Sequence, residues 1–143
     1  MIKNGNILNC AEDIIIHQVN TQGIMGGGLA LQLANKYRNL EQDYREFCRN
    51  YNFDYRKLKG KVYIKQCENK YIANIFSQTT NFDTNYQMLE QCLEKVKDFA
   101  KTNDLSIAIP YGIGCEIANG DWNIVQKIIN KVFSYNEIII YKL

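Results

Sequence analysis

Seven of the nine glycines in this chain fall in two short segments. The first reads Asn20-Thr-Gln-Gly-Ile-Met-Gly-Gly-Gly-Leu-Ala and follows the apolar stretch Ile14–Val19; the second reads Pro110-Tyr-Gly-Ile-Gly-Cys-Glu-Ile-Ala-Asn-Gly-Asp-Trp and follows Ser106–Ile109. Each leads into a stretch of helical periodicity. Glycine at this density lets backbone N–H groups converge on one point and lets a bulky anion approach the chain without meeting a Cβ. Gly26, Gly27 and Gly28 also stand at a helix start, where unpaired N–H groups and the helix dipole favour negative charge. Either loop alone reads equally well as a tight strand-to-helix turn. Two of them in parallel positions of one sheet favour a ligand with two phosphates, held by backbone dipoles.

The familiar phosphate motifs do not fit. There is no G-x-x-x-x-G-K-[ST], and no lysine follows either loop closely enough to serve as a phosphate-binding lysine. Gly112-Ile-Gly114 begins a G-x-G-x-x-G pattern, but the sixth position is Ile117. Other side chains with chemical potential each carry a structural alternative. Asp121 precedes Trp122 at a helix start and suits an N-cap as well as a general base. His17 is the sole histidine, flanked by Ile16 and close to Val19 on a strand; a hydrogen-bonded core residue and a base at the strand end both remain open. Cys115 sits near a helix start, where thiol pKa can fall, without a partner base in its segment. Trp122 reads as packing beneath the loop, and Tyr111 and Tyr141 lie near the expected crevice.

The elements that must position these residues follow from periodicity. Ile2–Leu8, Asp13–Val19, Lys61–Gln66, Tyr71–Ser77, Ser106–Ile109 and Glu137–Lys142 predict strands. Gly28–Tyr37 continuing to about Cys48, Thr84–Lys101 and Asp121–Phe133 predict covering helices, with Leu89, Leu93, Val96 and Ala100 on one face. Strands alternating with helices predict a mostly parallel or mixed sheet between two helical layers, with a ligand beyond the carboxyl ends of its central strands. The chain has 143 residues, 46% apolar and 22% charged, with formal net charge +2. That composition fits one globular domain over 1–143 and excludes disorder. It gives no basic footprint for duplex nucleic acid and no attraction to an anionic membrane. The longest apolar runs, Ile14–Ile16 and Ile138–Tyr141, fall far short of the roughly 18 residues that span a bilayer. Cys10, Cys48, Cys67, Cys92 and Cys115 form an odd set without a C-x-x-C pair, which argues against a disulfide framework or a zinc site. A cytoplasmic monomer with reduced thiols, no secretory leader and no metal is the expectation.

Taken in order, Lys3-Asn-Gly-Asn-Ile-Leu, His17 to Ala30, Ile109 to Cys115, Trp122 and the closing Ile-Ile-Tyr-Lys-Leu resemble the macrodomains that bind ADP-ribose. The likeness is strongest to the branch that contains the terminal ADP-ribose protein glycohydrolase and the yeast-type ADP-ribose-1″-phosphate phosphatase, and it runs from Ile2 to Leu143. It implies a three-layer α/β/α sandwich with a six-stranded mixed sheet. The implied partner is ADP-ribose or an ADP-ribosylated substrate, with nucleic acid only as such a substrate and no cofactor. By resemblance, Asn6 and Ile7 lie near the adenine, with Asn6 where the family usually has an acceptor Asp. Asn20 faces the distal ribose. Gly26, Gly27, Gly28 and Leu29 form the first phosphate loop, and Gly112, Ile113, Gly114, Cys115, Glu116 and Ile117 the second. The glycohydrolase branch cleaves with a lysine and an aspartate. Here Ser77 and Gln78 stand near the lysine position and Ala118 at the aspartate position, so that dyad is absent. Hydrolysis at the distal ribose would then rest on water positioned by Asn20, Asp121 or Glu116, with Asn20 and Asp121 as the catalytic candidates. A non-catalytic module that reads or sequesters ADP-ribose is the alternative.

Overall fold

In the computed structural model, residues 1–116 and 118–143 are described. The strands β1 (Ile2–Asn4), β2 (Ile14–Gln18), β3 (Val62–Cys67), β4 (Lys70–Ile75), β5 (Ile107–Pro110) and β6 (Ile139–Lys142) form one sheet of order β1-β6-β5-β2-β4-β3. All neighbours are parallel except β3, which closes one edge as an antiparallel hairpin with β4. The helices are α1 (Gly28–Lys36), α2 (Leu40–Asn50), α3 (Tyr55–Leu58), α4 (Tyr86–Asn103) and α5 (Trp122–Val132). The expected three-layer α/β/α sandwich with a six-stranded mixed sheet is the observed one.

The period-2 alternation of β2 divides the core. Ile14 and Ile16 pack with Leu93, Val96, Val125 and Ile129 on the α4/α5 side, while Ile15 packs with Leu33, Tyr37, Leu40 and Tyr44 on the α1/α2 side. A central strand buried on both faces has no polar side, which is why Ile14–Ile16 reads as a continuous apolar run. All four residues expected on the inner face of α4 (Leu89, Leu93, Val96 and Ala100) are buried.

Two expectations need correction, and one element is additional. The first helix does not continue to Cys48: α1 ends at Lys36, and Asn39 adopts a left-handed conformation (φ 68°) before α2. Asn tolerates that conformation, and the bend lets Leu33, Leu40, Tyr44 and Cys48 all reach one core. The first strand stops at Asn4 instead of Leu8, because the Asn6 side chain accepts from Leu8 N at 3.0 Å and caps a 3₁₀ turn over Ile7–Asn9. The short helix α3 was not foreseen; Asp54 caps it by accepting from Arg56 N at 2.9 Å.

β2 and β5 are adjacent and parallel, so the two glycine loops leave the same end of the sheet side by side. The second loop is held shut by Gly120 N donating to Gly114 O at 2.8 Å, and a Cβ on Gly120 would lie 2.5 Å from that same oxygen. Gly120→Ala is therefore expected to cost about 1–3 kcal/mol, the usual range for overpacking a closed site. A urea-unfolding midpoint unchanged from wild type would contradict it.

Candidate functional site

The two loops face one cavity of about 330 Å³ at the carboxyl ends of β2 and β5. This size lies within the range of small-molecule sites. Of the residues singled out from the sequence, Asn6, Ile7, Gly27, Leu29, Gly112, Ile113, Gly114 and Glu116 line it. Gly26, Gly28 and Cys115 belong to the same loops beside lining residues. Ile117 lies outside the described residues. The first loop delivers α1 end-on: Gly27 is its N-cap with no side-chain hydrogen bond, so the first-turn N–H groups stay available to an anion. In the second loop Gly114 has φ +74°, and an added Cβ would sit 2.6 Å from Thr84 Oγ1. Only glycine takes both the left-handed backbone and the close approach.

Asn20 and Asp121 are engaged elsewhere. Asn20 Oδ1 accepts from Gln22 N at 2.9 Å and from the Tyr44 hydroxyl at 2.8 Å, while its Nδ2 donates to Ile24 O at 3.0 Å. Its amide braces the first loop from within. Asp121 Oδ1 accepts from Asn123 N at 2.9 Å as the N-cap of α5. Neither side chain is in the cavity lining. Burial and the nearby Asp121 and Glu116 charges push the Cys115 thiol up from 9.0, so it carries no thiolate at neutral pH. Tyr111 lines the wall; its ring lies 4.4 Å from Trp122, and Lys142 Nζ lies 4.6 Å from the ring centre on the same aromatic unit.

The positions that correspond by resemblance to the cleaving lysine and aspartate do come together: Gln78 and Ala118 both line the cavity. They present an amide and a methyl group. Glu116 is the one carboxylate side chain among the described lining residues.

What single-residue reading missed is the cavity floor. Gln78 Nε2 donates to Gln18 Oε1 at 3.0 Å, and Gln18 Nε2 donates to Ser77 Oγ at 2.8 Å and Thr84 Oγ1 at 3.2 Å. Thr84 in turn donates to Gly114 O at 2.6 Å. This network ties the ends of β2 and β4 to the second glycine loop, through partners 30 to 66 residues apart. His17 lies in the same floor at 2% exposure, its Nε2 2.6 Å from Asn74 Oδ1. Burial lowers its pKa from 6.5 to about 4, only partly offset by the Asn74 hydrogen bond, so the ring is neutral at physiological pH.

A second cavity, of about 450 Å³, opens at the opposite end of the sheet, beside Ser106, Ile107, Ile138 and Ile139. Both of its lysines are already engaged: Lys101 lies 3.8 Å from Glu137, and Lys97 donates to Val132 O at 2.7 Å. Neither glycine loop reaches it. The smaller cavity is the candidate site, because both glycine loops line it and the first turn of α1, without a side-chain cap, starts beside it. No helix of the described residues is long and apolar enough to cross a membrane.

A six-stranded mixed sheet of this order, with two glycine loops at adjacent parallel strand ends, is the macrodomain fold. Comparison with known proteins agrees with the family resemblance read from the residues. The chain is 34% identical over 113 residues to an ADP-ribose 1″-phosphate phosphatase of Saccharomyces cerevisiae, covering 70% of this chain and 61% of that protein. The match thus spans about three-fifths of that relative's length. It is 22% identical over 136 residues to ADP-ribose glycohydrolase OARD1 of Bos taurus, covering 94% of this chain and 84% of that one. Among solved structures, the macrodomain of Mycobacterium tuberculosis DarG superposes with a TM-score of 0.85 at 21% identity, covering 100% of this chain and 98% of that chain. Thermosipho africanus DarTG in complex with ADP-ribose gives 0.80 at 17% identity, covering 98% of this chain and 41% of that chain. No protein-family model matches the chain.

Proposed function

We propose that this single domain binds ADP-ribose or a close derivative in the cavity between its two glycine loops and hydrolyses at the distal ribose, releasing phosphate or an ADP-ribosyl group. The observation that carries the binding reading is the convergence of Gly27 at the start of α1 with Gly112–Gly114 on one cavity. Two backbone cradles a short distance apart suit two phosphates. The names of the yeast and bovine relatives support the substrate class, and the ADP-ribose complex of a protein with this fold supports the ligand.

For hydrolysis, the chain offers no lysine at the cavity position held by Gln78 and no aspartate at Ala118. A water activated by a carboxylate is the route we read here, with Glu116, the one carboxylate side chain among the described lining residues, as its base. Asn20 and Asp121 would act on the reaction through the loops they brace. The absent dyad favours a second reading, in which the domain reads or sequesters ADP-ribose without turnover.

One panel tests these readings. Calorimetry compares ADP-ribose with AMP, and release of phosphate or ADP-ribose is followed from ADP-ribose 1″-phosphate and from ADP-ribosylated protein. Tighter binding of ADP-ribose than AMP, with release above a heat-killed control, is the expected result. Equal affinity for the two nucleotides would overturn the ligand assignment, and binding without release would leave the non-catalytic reading standing. In the same panel Glu116→Gln is expected to lower release at least tenfold with affinity retained, whereas Asp121→Ala costs about 1 kcal/mol of stability through its lost cap.

A further inference from the structure

We infer that His17 is a specificity determinant of the cavity: its Nδ1 accepts a hydrogen bond from a hydroxyl of the bound nucleotide. This inference rests on the proposed ADP-ribose reading and adds to it a contact that the glycine loops cannot make. Asn74 Nδ2 donates to the carbonyls of Tyr63 at 2.9 Å and Ile72 at 3.3 Å, which fixes the amide so that its Oδ1 faces the imidazole. That oxygen can only accept, so His17 Nε2 carries the proton and donates to it over 2.6 Å. The other nitrogen, Nδ1, is then a bare acceptor. It is buried and has no hydrogen-bond partner among the described residues, alone among their buried side-chain nitrogen and oxygen atoms.

An unpaired buried acceptor on a residue that lines the cavity calls for a donor. Phosphate oxygens have no proton to give and would meet a lone pair. A neutral ring, with charging suppressed by burial, offers them no attraction either. Ribose hydroxyls are the donors that a nucleoside diphosphate sugar brings. The division of labour follows: backbone N–H groups take the phosphates, and His17 Nδ1 reads a sugar hydroxyl. A site built to pair a hydroxyl discriminates strongly against an analogue that lacks it, because its own polar group is then left unpaired.

The test is nitrogen-15 NMR on uniformly labelled protein, in which the imidazole signals are unambiguous since the chain has one histidine. On saturation with ADP-ribose the non-protonated Nδ1 resonance is expected to move upfield while Nε2 keeps its donor shift. His17→Gln, which can still donate to Asn74, is expected to weaken ADP-ribose by about tenfold. A matched deoxy-ribose analogue should lose the same factor on wild type and none on the variant. An Nδ1 resonance that stays in place while the Gly27 and Gly114 amides shift would overturn this inference and leave the binding reading intact. Absence of any shift, with no calorimetric binding, would overturn both.

Discussion

Gly27→Glu is expected to abolish ADP-ribose binding, by about 100-fold or more, while the protein melts within a degree or two of wild type. The backbone at Gly27 is extended (φ −160°), a conformation open to any residue, and a Cβ there meets nothing within 4 Å. Nothing in the fold demands glycine at this position. A carboxylate there stands at the N-terminus of α1, where the dipole welcomes it, so stability is unharmed or slightly improved. The same carboxylate fills the space a phosphate would use and sets like charge against it, a conflict that costs several kcal/mol at an interface. Each 1.4 kcal/mol is a factor of ten. Calorimetry beside a thermal melt separates the two effects. Affinity retained in a folded variant would mean that the first loop is only a turn. Gly27→Ala makes the finer comparison, because it adds the methyl group without the charge.

That experiment is informative because glycines that look alike in sequence differ in role. Gly114 and Gly120 are needed by the chain itself, since a Cβ at either would run into Thr84 or into the backbone of Gly114. Gly27 has an extended backbone and nothing within 4 Å of the added carbon, whereas Gly112 has the same open space but a left-handed φ of +79° that still favours glycine. Composition and position identified both loops, and strand alternation with helices placed them on one sheet edge, because those signals are local. The inner face of α4 and the strands around Ile14–Ile16 and Ile107–Ile109 were legible for the same reason: burial on one face imprints a period on a helix, and burial on both faces leaves a short apolar run.

The rest depended on partners remote in the chain. Whether Asp121 is a base or a cap turns on where its oxygen points, and the answer is Asn123 N. Asn20 had the same ambiguity, and Tyr44, which occupies part of its side chain, lies on another element. The floor network of Gln18, Ser77, Gln78 and Thr84 left no local trace, since a glutamine on a strand reads only as a polar residue. The break at Asn39 was hidden as well. Both flanking segments keep a helical pattern, and a single left-handed residue changes the direction of the chain without changing its periodicity.

The second large effect concerns acid. His17 is expected to make the protein lose about 3 kcal/mol of stability between pH 6.5 and pH 4, with little further loss from this residue below that. Its folded pKa is lowered from 6.5 to about 4 by burial. The unfolded chain therefore takes up a proton through the upper value, while the folded chain refuses one until the lower. Between the two the unfolded state holds more protons, so stability falls as pH falls; above pH 6.5 both states are neutral and the contribution is fully present. A separation of this size corresponds to the stated free energy at 1.36 kcal/mol per pH unit. Carboxylates also titrate at the acid end of this window, so the measurement is a difference. Urea unfolding of wild type and His17→Gln is followed across the window, and the variant is expected to show a flatter decline because it has no ring to charge. Parallel curves would mean that the imidazole is reached by water in the folded state. They would also weaken the reading of Nδ1 as a protected acceptor, since the burial that keeps the ring neutral is what leaves that nitrogen waiting for a ligand donor.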